Sequence, residues 1–372
     1  MPSQFASAAL GQPVPRRIHP EIAFPRRQQF HSSPADWRDE ILYFLLVDRF
    51  SDGQEGTRPM LDRGNRAAAR PNGSNGWRWD RWAESGANRW QGGTIAGVRS
   101  KLGYLKDLGV SAIWLSPVFK QRGHLDTFHG YGIQNFLDVD PRFGTREDLV
   151  DLVDAAHQAG IRIILDIIFN HSGFNWVYPG DVVEPSYRPF PDHYLFGAWL
   201  GRTGQPVGAA VSDLEDGVWP GELQAPACYT RAGMGSLGGG DLDDPHAEHK
   251  RTDFFSLRDF ALDNPGVLGH LADCYKYWIA LTDCDGFRID TLKHVSFEEG
   301  RNFCGAIKEF ASNLGKANFF LVGEVAGGDF AQDRYLDVIG HNLLHPGRSA
   351  EGYQAPSRFC GTRVRQVLGV GL

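Results

Sequence analysis

Three short stretches set charged side chains where apolar runs end: DIIFNH at 166–171, GFRIDTLKH at 286–294 and VGEV at 322–325. Leaving a charge unpaired in an apolar interior is costly, so carboxylates at the ends of three successive buried strands call for a chemical explanation. In the second stretch, strand alternation turns Arg288 and Asp290 to the same side. A guanidinium there favours the ionised carboxylate that a nucleophile requires. Glu324 ends the next apolar run with no cation beside it in sequence. Burial and a nearby anionic Asp290 would both raise its pKa, keeping it protonated until a leaving oxygen needs the proton. Two carboxyl groups in opposed roles are what glycosidic cleavage uses, and a separation of about 5–5.5 Å gives retention through a covalent glycosyl-enzyme. The plainer alternative, a structural Arg288–Asp290 pair, leaves Glu324 unexplained.

Such side chains need strands to carry them. Residues 41–47 (ILYFLLV) form a continuous apolar run, as a strand buried on both faces requires. A long loop rich in Gly, Arg, Asn and Trp follows at 51–91, whose Trp77, Trp79, Trp82 and Trp90 either line a cleft or pack beneath the loop. The spacing then predicts a helix over 95–108 closed by Gly109, a strand at 111–115, a helix over 146–158 closed by Gly160, and a strand at 161–169. This spacing implies parallel strands joined by right-handed crossovers. From His171 to about Phe255 the alternation stops in a stretch crowded with Gly, Pro and Asp, too long for a simple loop and expected to be an inserted subdomain. Helix 265–282, strand 284–289, helix 297–314 and strand 319–322 resume the pattern, with a sixth strand suggested at 335–339. In an α/β barrel the carboxyl ends of the strands form the active face.

The totals narrow the class. A chain of 372 residues with 42% hydrophobic and 22% charged residues buries a large core. Its net charge of −7 argues against nucleic acid or anionic membranes as main partners. Five widely spaced cysteines without a CxxC pair fit reduced thiols, and the first 36 residues hold neither a signal-length apolar stretch nor a membrane span. A cytoplasmic protein with a poorly structured leader at 1–36 is expected. No Gly-rich phosphate loop is present, which sets aside phosphate-binding barrel chemistry.

Together and in order, these motifs resemble three of the four signature stretches of glycoside hydrolase family 13, the α-amylase family. YFLLVDRFSDG, AIWLSPVF and FHGYGIQNFLDVDPRFGT resemble its flanking segments, over roughly 37–340. The resemblance implies an α/β fold, a (β/α)8 TIM barrel with a B subdomain inserted after strand 3. The chain would divide into barrel at 37–171, insertion at 172–255 and barrel again at 256–341. It implies Asp290 as nucleophile, Glu324 as general acid/base and Arg288 as the group orienting Asp290. His129, Tyr131 and His171 would line the cleaved sugar's subsite, and Lys293 and His294 the acceptor side. It also implies a structural calcium ion held by Asn170, Asp259 and the carbonyl of His294, with no organic cofactor, and an α-1,4-glucan or maltooligosaccharide as substrate. Asn170 would equally serve to cap a turn and Asp259 a helix, while His129, Tyr131 and Lys293 have simpler lives as loop or surface residues.

The sequence departs from the family in one respect. The fourth signature, an Asn-His-Asp ending the seventh strand, has no counterpart; HNLLHPGR at 341–348 lacks the Asp. Only five to six of eight strands are expected, so the barrel would be incomplete. The tail at 342–372 has neither Lys nor Asp and no sustained period, which suggests out-of-frame translation. The alternative to an active enzyme is therefore a truncated, inactive family remnant that at most binds α-glucan.

Overall fold

The computed structural model describes residues 10–19, 29–57, 64, 88–325, 335 and 338. In chain order its strands are β1 (Leu42–Leu45), β2 (Ala112–Leu115), β3 (Phe119–Gln121), β4 (Ile133–Val139), β5 (Arg162–Ile167), β6 (His171–Ser172), β7 (Trp176–Val177), β8 (Ala198–Leu200), β9 (Pro206–Gly208), β10 (Arg258–Asp259), β11 (Gly286–Ile289) and β12 (Phe320–Gly323). The helices are α1 (Val47–Phe50), α2 (Ile95–Ser100), α3 (Leu102–Asp107), α4 (Arg146–Ala159), α5 (Pro265–Thr282) and α6 (Phe297–Asn313).

Five strands form one parallel sheet in the order β1-β2-β5-β11-β12, so each main strand lies beside the next in sequence. This is the (β/α)8 arrangement, of which the described residues supply five successive strands without closing the barrel. Phe44, Trp114, Ile164, Gly286 and Phe320 share one register across the sheet and one face. Gly286 is required there: a Cβ would stand 2.5 Å from that of Phe320. One layer further along, Asp166, Arg288 and Val322 are in register. The opposite face carries Ile113, Ile163, Leu165, Ile167, Phe287, Ile289 and Leu321, all buried in the main core with the helices.

The helices end where local chemistry stops them. Thr145 and Asp148 form a capping box on α4, and Gly160 closes it at φ 78°. Asn264 caps α5 with Pro265 in its first turn, and Ser296 and Glu299 form the capping box of α6. The single helix expected over 95–108 is broken in two at Lys101, whose φ of −106° and ψ of 6° leave helical geometry. Gly97 and Gly103, one in each half, weaken a continuous helix.

The insertion has its own small core. β6 pairs antiparallel with β10, bringing its two ends together, and β7, β8 and β9 form an antiparallel sheet. Trp176, Tyr178, Trp199, Tyr229 and Arg258 are almost fully buried there. It leans on an antiparallel β3–β4 hairpin that apolar periodicity did not announce; Gly173 N–H and the Asn175 amide both donate to the Ile133 carbonyl, at 2.7 and 2.9 Å.

Several expectations are corrected. The leader is anchored at particular residues: Ile18 is fully buried, its N–H and that of His19 donate to Glu222, and Arg146 donates to the Gln12 carbonyl, while most of 10–19 stays exposed. Contacts through backbone groups, not an apolar period, hold this segment, so its pattern gave no sign of order. Trp37 stacks near Phe320 (4.7 Å) and donates to Asn318 O at 2.7 Å, filling the amino-terminal end of the sheet's inner face. Tyr335 is helical and the Val338 N–H bonds to its carbonyl, so these two residues are not in a sixth strand. Trp90 packs against Phe143 and under Arg142. Trp77, Trp79, Trp82 and the tail at 342–372 lie outside the described residues.

Beneath the sheet, fully buried Asp285 accepts from His157 Nε2 (2.8 Å), Ile163 N (2.9 Å) and Lys316 Nζ (3.4 Å). Burial would raise its pKa, but the His157 bond and the Lys316 charge outweigh burial and draw it to about 2. Lowered from an unfolded value near 3.8, it stabilises the fold above that value by roughly 2–3 kcal/mol and loses this as pH falls through about 2. The Tm penalty of Asp285→Asn should therefore shrink by about half between pH 6 and pH 3. A penalty constant over that range would contradict this account.

Candidate active site

The sheet register assembles the site. β5 sets Asp166 beside Arg288 of β11, and the ladder continues through Asp290 N–H to Ile167 O and Glu324 N–H to Ile289 O, both 2.9 Å. Asp290 and Glu324 thus leave neighbouring strands at the same level. One guanidinium gathers all three carboxyl groups: Arg288 Nη1 lies 2.9 Å from Asp166 and 2.8 Å from Asp290, and Nη2 lies 2.9 Å from Glu324. Glu324 also accepts from Thr291 N–H at 3.2 Å and shares a hydrogen bond with Asp290. Thr291 sits at φ 51°, a left-handed conformation uncommon for a β-branched residue.

Asp166 is held from three directions, by Arg288, by Trp114 Nε1 (3.0 Å) and by the Tyr131 hydroxyl (3.1 Å). Burial raises its pKa to about 6 against the pull of Arg288. Burial also pushes Asp290 well above the carboxylate range; Arg288 opposes this, while Asp166 and Glu324 add to it. For Glu324 burial again acts upward, but Arg288, the Thr291 N–H and the Asp290 bond together outweigh it, and its pKa falls below the usual value. Two hydrogen-bonded carboxyls cannot both ionise readily. Burial thus acts upward on all three carboxyl groups, and the cationic Arg288 opposes it on each. The raised pKa expected for Glu324 from sequence is not met, because Arg288 reaches across strands to Glu324, which linear order does not reveal.

The other candidates fall into two groups. Tyr131 touches Asp166, with His129 stacked on its ring at 5.6 Å and accepting its N–H at 3.2 Å. His171 is buried and held neutral, since burial draws its pKa to about 3; its Nδ1 lies 3.0 Å from Asn170 Oδ1 and its Nε2 has no hydrogen-bond partner. His294 is buried, with Nδ1 2.6 Å from the carbonyl of His249. Lys293 is partly exposed, and its carbonyl, not its ammonium, is engaged, by Tyr335 Oη at 2.8 Å. The structure brings Lys293 into neither group by side-chain contact.

The second group surrounds Asp259. Asn170 Nδ2 donates to His294 O at 3.1 Å, and β6–β10 pairing sets Asp259 opposite His171. Among the described residues both Asp259 carboxyl oxygens are buried with no partner at hydrogen-bond distance, and burial, reinforced by Asp253 and opposed by neighbouring Asn170, lifts its pKa well above the usual value. A buried carboxylate with no countercharge beside an amide and a carbonyl is a donor set that fits a hard cation. His31, His157 and Asp285 also converge, with ligand atoms within 4.8 Å of one another. Arg162 and Lys316 already occupy that trio, standing 2.5 Å from His31 Nδ1 and 3.4 Å from Asp285 respectively, so it does not fit a cation.

Three contributors escaped sequence reasoning. Trp114 and the hub position of Asp166 follow only from sheet register. Phe254 lies between His171 (6.1 Å) and His294 (5.3 Å), beside Phe255, which is 61% exposed at φ 57°. Only the FF doublet marked that place.

A parallel βα sheet whose carboxyl ends carry an arginine-bridged carboxyl cluster defines a barrel-type protein with its site on the strand-end face. The family model for the α-amylase catalytic domain matches residues 44–335, and the chain belongs to the α-amylase family. Among curated relatives it is 32% identical to an alpha-amylase of Streptomyces lividans over 269 residues, covering 64% of this chain and 28% of that protein. It is 28% identical to the periplasmic alpha-amylase of Escherichia coli K12, covering 84% and 51%. Among solved structures, the alpha-amylase of Geobacillus thermoleovorans complexed with acarbose aligns with TM-score 0.50 at 28% identity, covering 82% of this chain and 50% of that one. The cyclomaltodextrin glucanotransferase CldA aligns with TM-score 0.56 at 25% identity, covering 84% and 55%. The chain spans between about a fifth and a half of the length of these and other curated relatives.

Proposed function

We propose that the protein is a retaining glycosidase of the α-amylase type, acting on α-1,4-linked glucans or maltooligosaccharides, with Asp290 as nucleophile and Glu324 as acid/base. One observation carries this reading: Asp290 and Glu324 meet at the ends of adjacent strands under a single bridging arginine. Retention begins from one carboxylate and one carboxylic acid. A sugar entering between the two displaces Glu324 from Arg288. The guanidinium then concentrates on Asp290 and Asp166, favouring the ionised nucleophile, and desolvation favours the protonated form of Glu324. Glu324 protonates the glycosidic oxygen as Asp290 attacks the anomeric carbon; afterwards the Glu324 carboxylate takes a proton from the water that releases the sugar. Tyr131 and His129 would form one wall of the cleaved subsite, and neutral His171, its Nδ1 proton directed to Asn170 Oδ1, would offer Nε2 to it as a hydrogen-bond acceptor. Lys293 and His294 would face the acceptor side.

Incubation with maltoheptaose, followed by proton NMR of the freshly released reducing ends, tests this. The expected outcome is turnover with the α-anomer appearing first. The β-anomer first would exclude the covalent route, and binding without turnover would leave an inactive glucan-binding family remnant.

The same reading places calcium at Asn170, Asp259 and His294 O, where it would supply the charge that Asp259 lacks and tie the insertion to the sheet. The amide of Asn170 would present its oxygen in place of the Nδ2 that now faces His294 O. Chelation should lower Tm by about 5 °C. Asp259→Asn should remove that sensitivity to chelator, whereas an equal response in both proteins would rule the ion out at this place.

A further inference from the structure

Away from the catalytic cluster, and sharing no lining residue with it, a cavity of about 410 Å³ opens between the insertion and the amino-terminal ends of α5 and α6. Its size is that of a small-molecule site. Arg231, Lys250 and Arg251 line it; Lys250 and Arg251 are only 7% and 8% exposed. None of the three makes an ion pair with a carboxylate among the described residues. Arg251 donates to the Arg188 and Asp192 carbonyls at 3.3 and 3.2 Å, and Lys250 to the Leu242 and Asp244 carbonyls at 2.6 and 3.0 Å. Arg231 donates to Tyr194 O at 3.1 Å, and its buried Nε has no partner. Glu299 and Asp263 also line the cavity. Glu299 is tied to Ser296 N–H at 2.8 Å, and burial raises its pKa, so it is a poor countercharge.

Lys250 and Arg251 also lie over the Phe297 and Phe190 rings, each at 5.2 Å, and Glu299, Asp244 and Asp241 act on Lys250 only from beyond ion-pair distance. Holding buried cations without a contacting anion is costly, and this occurs in a chain of net charge −7. Arg231 is moreover kept at φ 51°, a left-handed backbone conformation disfavoured for a long side chain. Phe190 and His246, stacked at 3.8 Å, form a flat wall against which a ring can lie. We propose that this cavity binds a phosphate dianion, free or as the ester of a small sugar, through Arg231, Lys250 and Arg251. Guanidinium and ammonium donors together suit a tetrahedral dianion.

The test is thermal denaturation and titration calorimetry of the full chain at physiological salt, with inorganic phosphate, glucose 6-phosphate and neutral maltose as probes. It is independent of glucan turnover, so it stands or falls separately from the glycosidase reading. Arg231→Asn is the informative variant, because asparagine tolerates the left-handed backbone while removing the charge. The expected result is a phosphate-dependent rise in Tm for the parent and at least tenfold weaker binding in Arg231→Asn and Arg251→Gln, with the ligand-free Tm of Arg231→Asn unchanged or higher. Tighter binding of glucose 6-phosphate than of phosphate identifies an ester ligand, and equal binding identifies free phosphate. No response to either phosphate probe, or a response retained by both variants, overturns the proposal and leaves the three cations as braces for loop carbonyls.

Discussion

Replacing Asp290 with asparagine is expected to lower glucan cleavage by about four orders of magnitude or more while barely moving the thermal midpoint. The loss follows from chemistry: a neutral amide cannot form the glycosyl ester, and the water-only route lacks about 5.5 kcal/mol of barrier lowering. The unmoved midpoint follows from electrostatics. Burial pushes the Asp290 carboxyl upward, so the fold gains little from its charge, and asparagine keeps its shape while Arg288 keeps its contacts with Asp166 and Glu324, each 2.9 Å away. Glu324→Gln should behave differently, because it removes the charge that Arg288 Nη2 holds. It should also spare substrates with good leaving groups, which need no proton. Measuring kcat on maltoheptaose and on an aryl maltoside, with Tm for each variant, separates the two roles. More than about 1% residual activity in Asp290→Asn would remove Asp290 from the nucleophile's position.

How much of this was visible beforehand depends on which physical rule placed each part. Apolar runs ending in Asp166, Asp290 and Glu324 were legible because parallel strands buried on both faces tolerate nothing polar until they end. Helices α4, α5 and α6 were legible through their apolar spacing, and the end of α4 through Gly160, whose role there is local. The lowered pKa of Glu324 was not, since it depends on a contact with Arg288, 36 residues away in number and joined only by register. The anchored leader was not, because Gln12, His31 and Pro34 are held through backbone carbonyls, which every residue type carries. The orphaned oxygens of Asp259 needed three dimensions as well: the motif suggested an ion ligand or a helix cap equally, and only burial without a partner separates them.

Arg258→Met should destabilise the protein by about 3–5 kcal/mol, the largest stability loss expected outside the core hydrocarbons. Arg258 is fully buried; it pairs with Asp253 at 2.9 Å and donates to the Trp176 and Val183 carbonyls at 2.9 and 2.8 Å. Its guanidinium also lies about 5 Å from the ring centroids of Phe174, Trp176 and Tyr178. Methionine fills much of the space but satisfies none of these acceptors. Asp253, which also accepts from the Tyr178 hydroxyl at 2.7 Å, would lose its countercharge; burial already raises its pKa to about 6 against the pull of Arg258. Most of the cost is thus the stranded carboxylate, so Asp253→Asn added to Arg258→Met should recover about half of it. Urea denaturation of the parent, both single variants and the double variant measures that coupling. Strictly additive losses would mean that Arg258 stabilises the insertion by packing alone. The outcome reaches the cleft because Arg258 and Asp259 are the two residues of β10: an insertion that loosens at Arg258 releases Asp259 and the β6 pairing that sets His171 beside it.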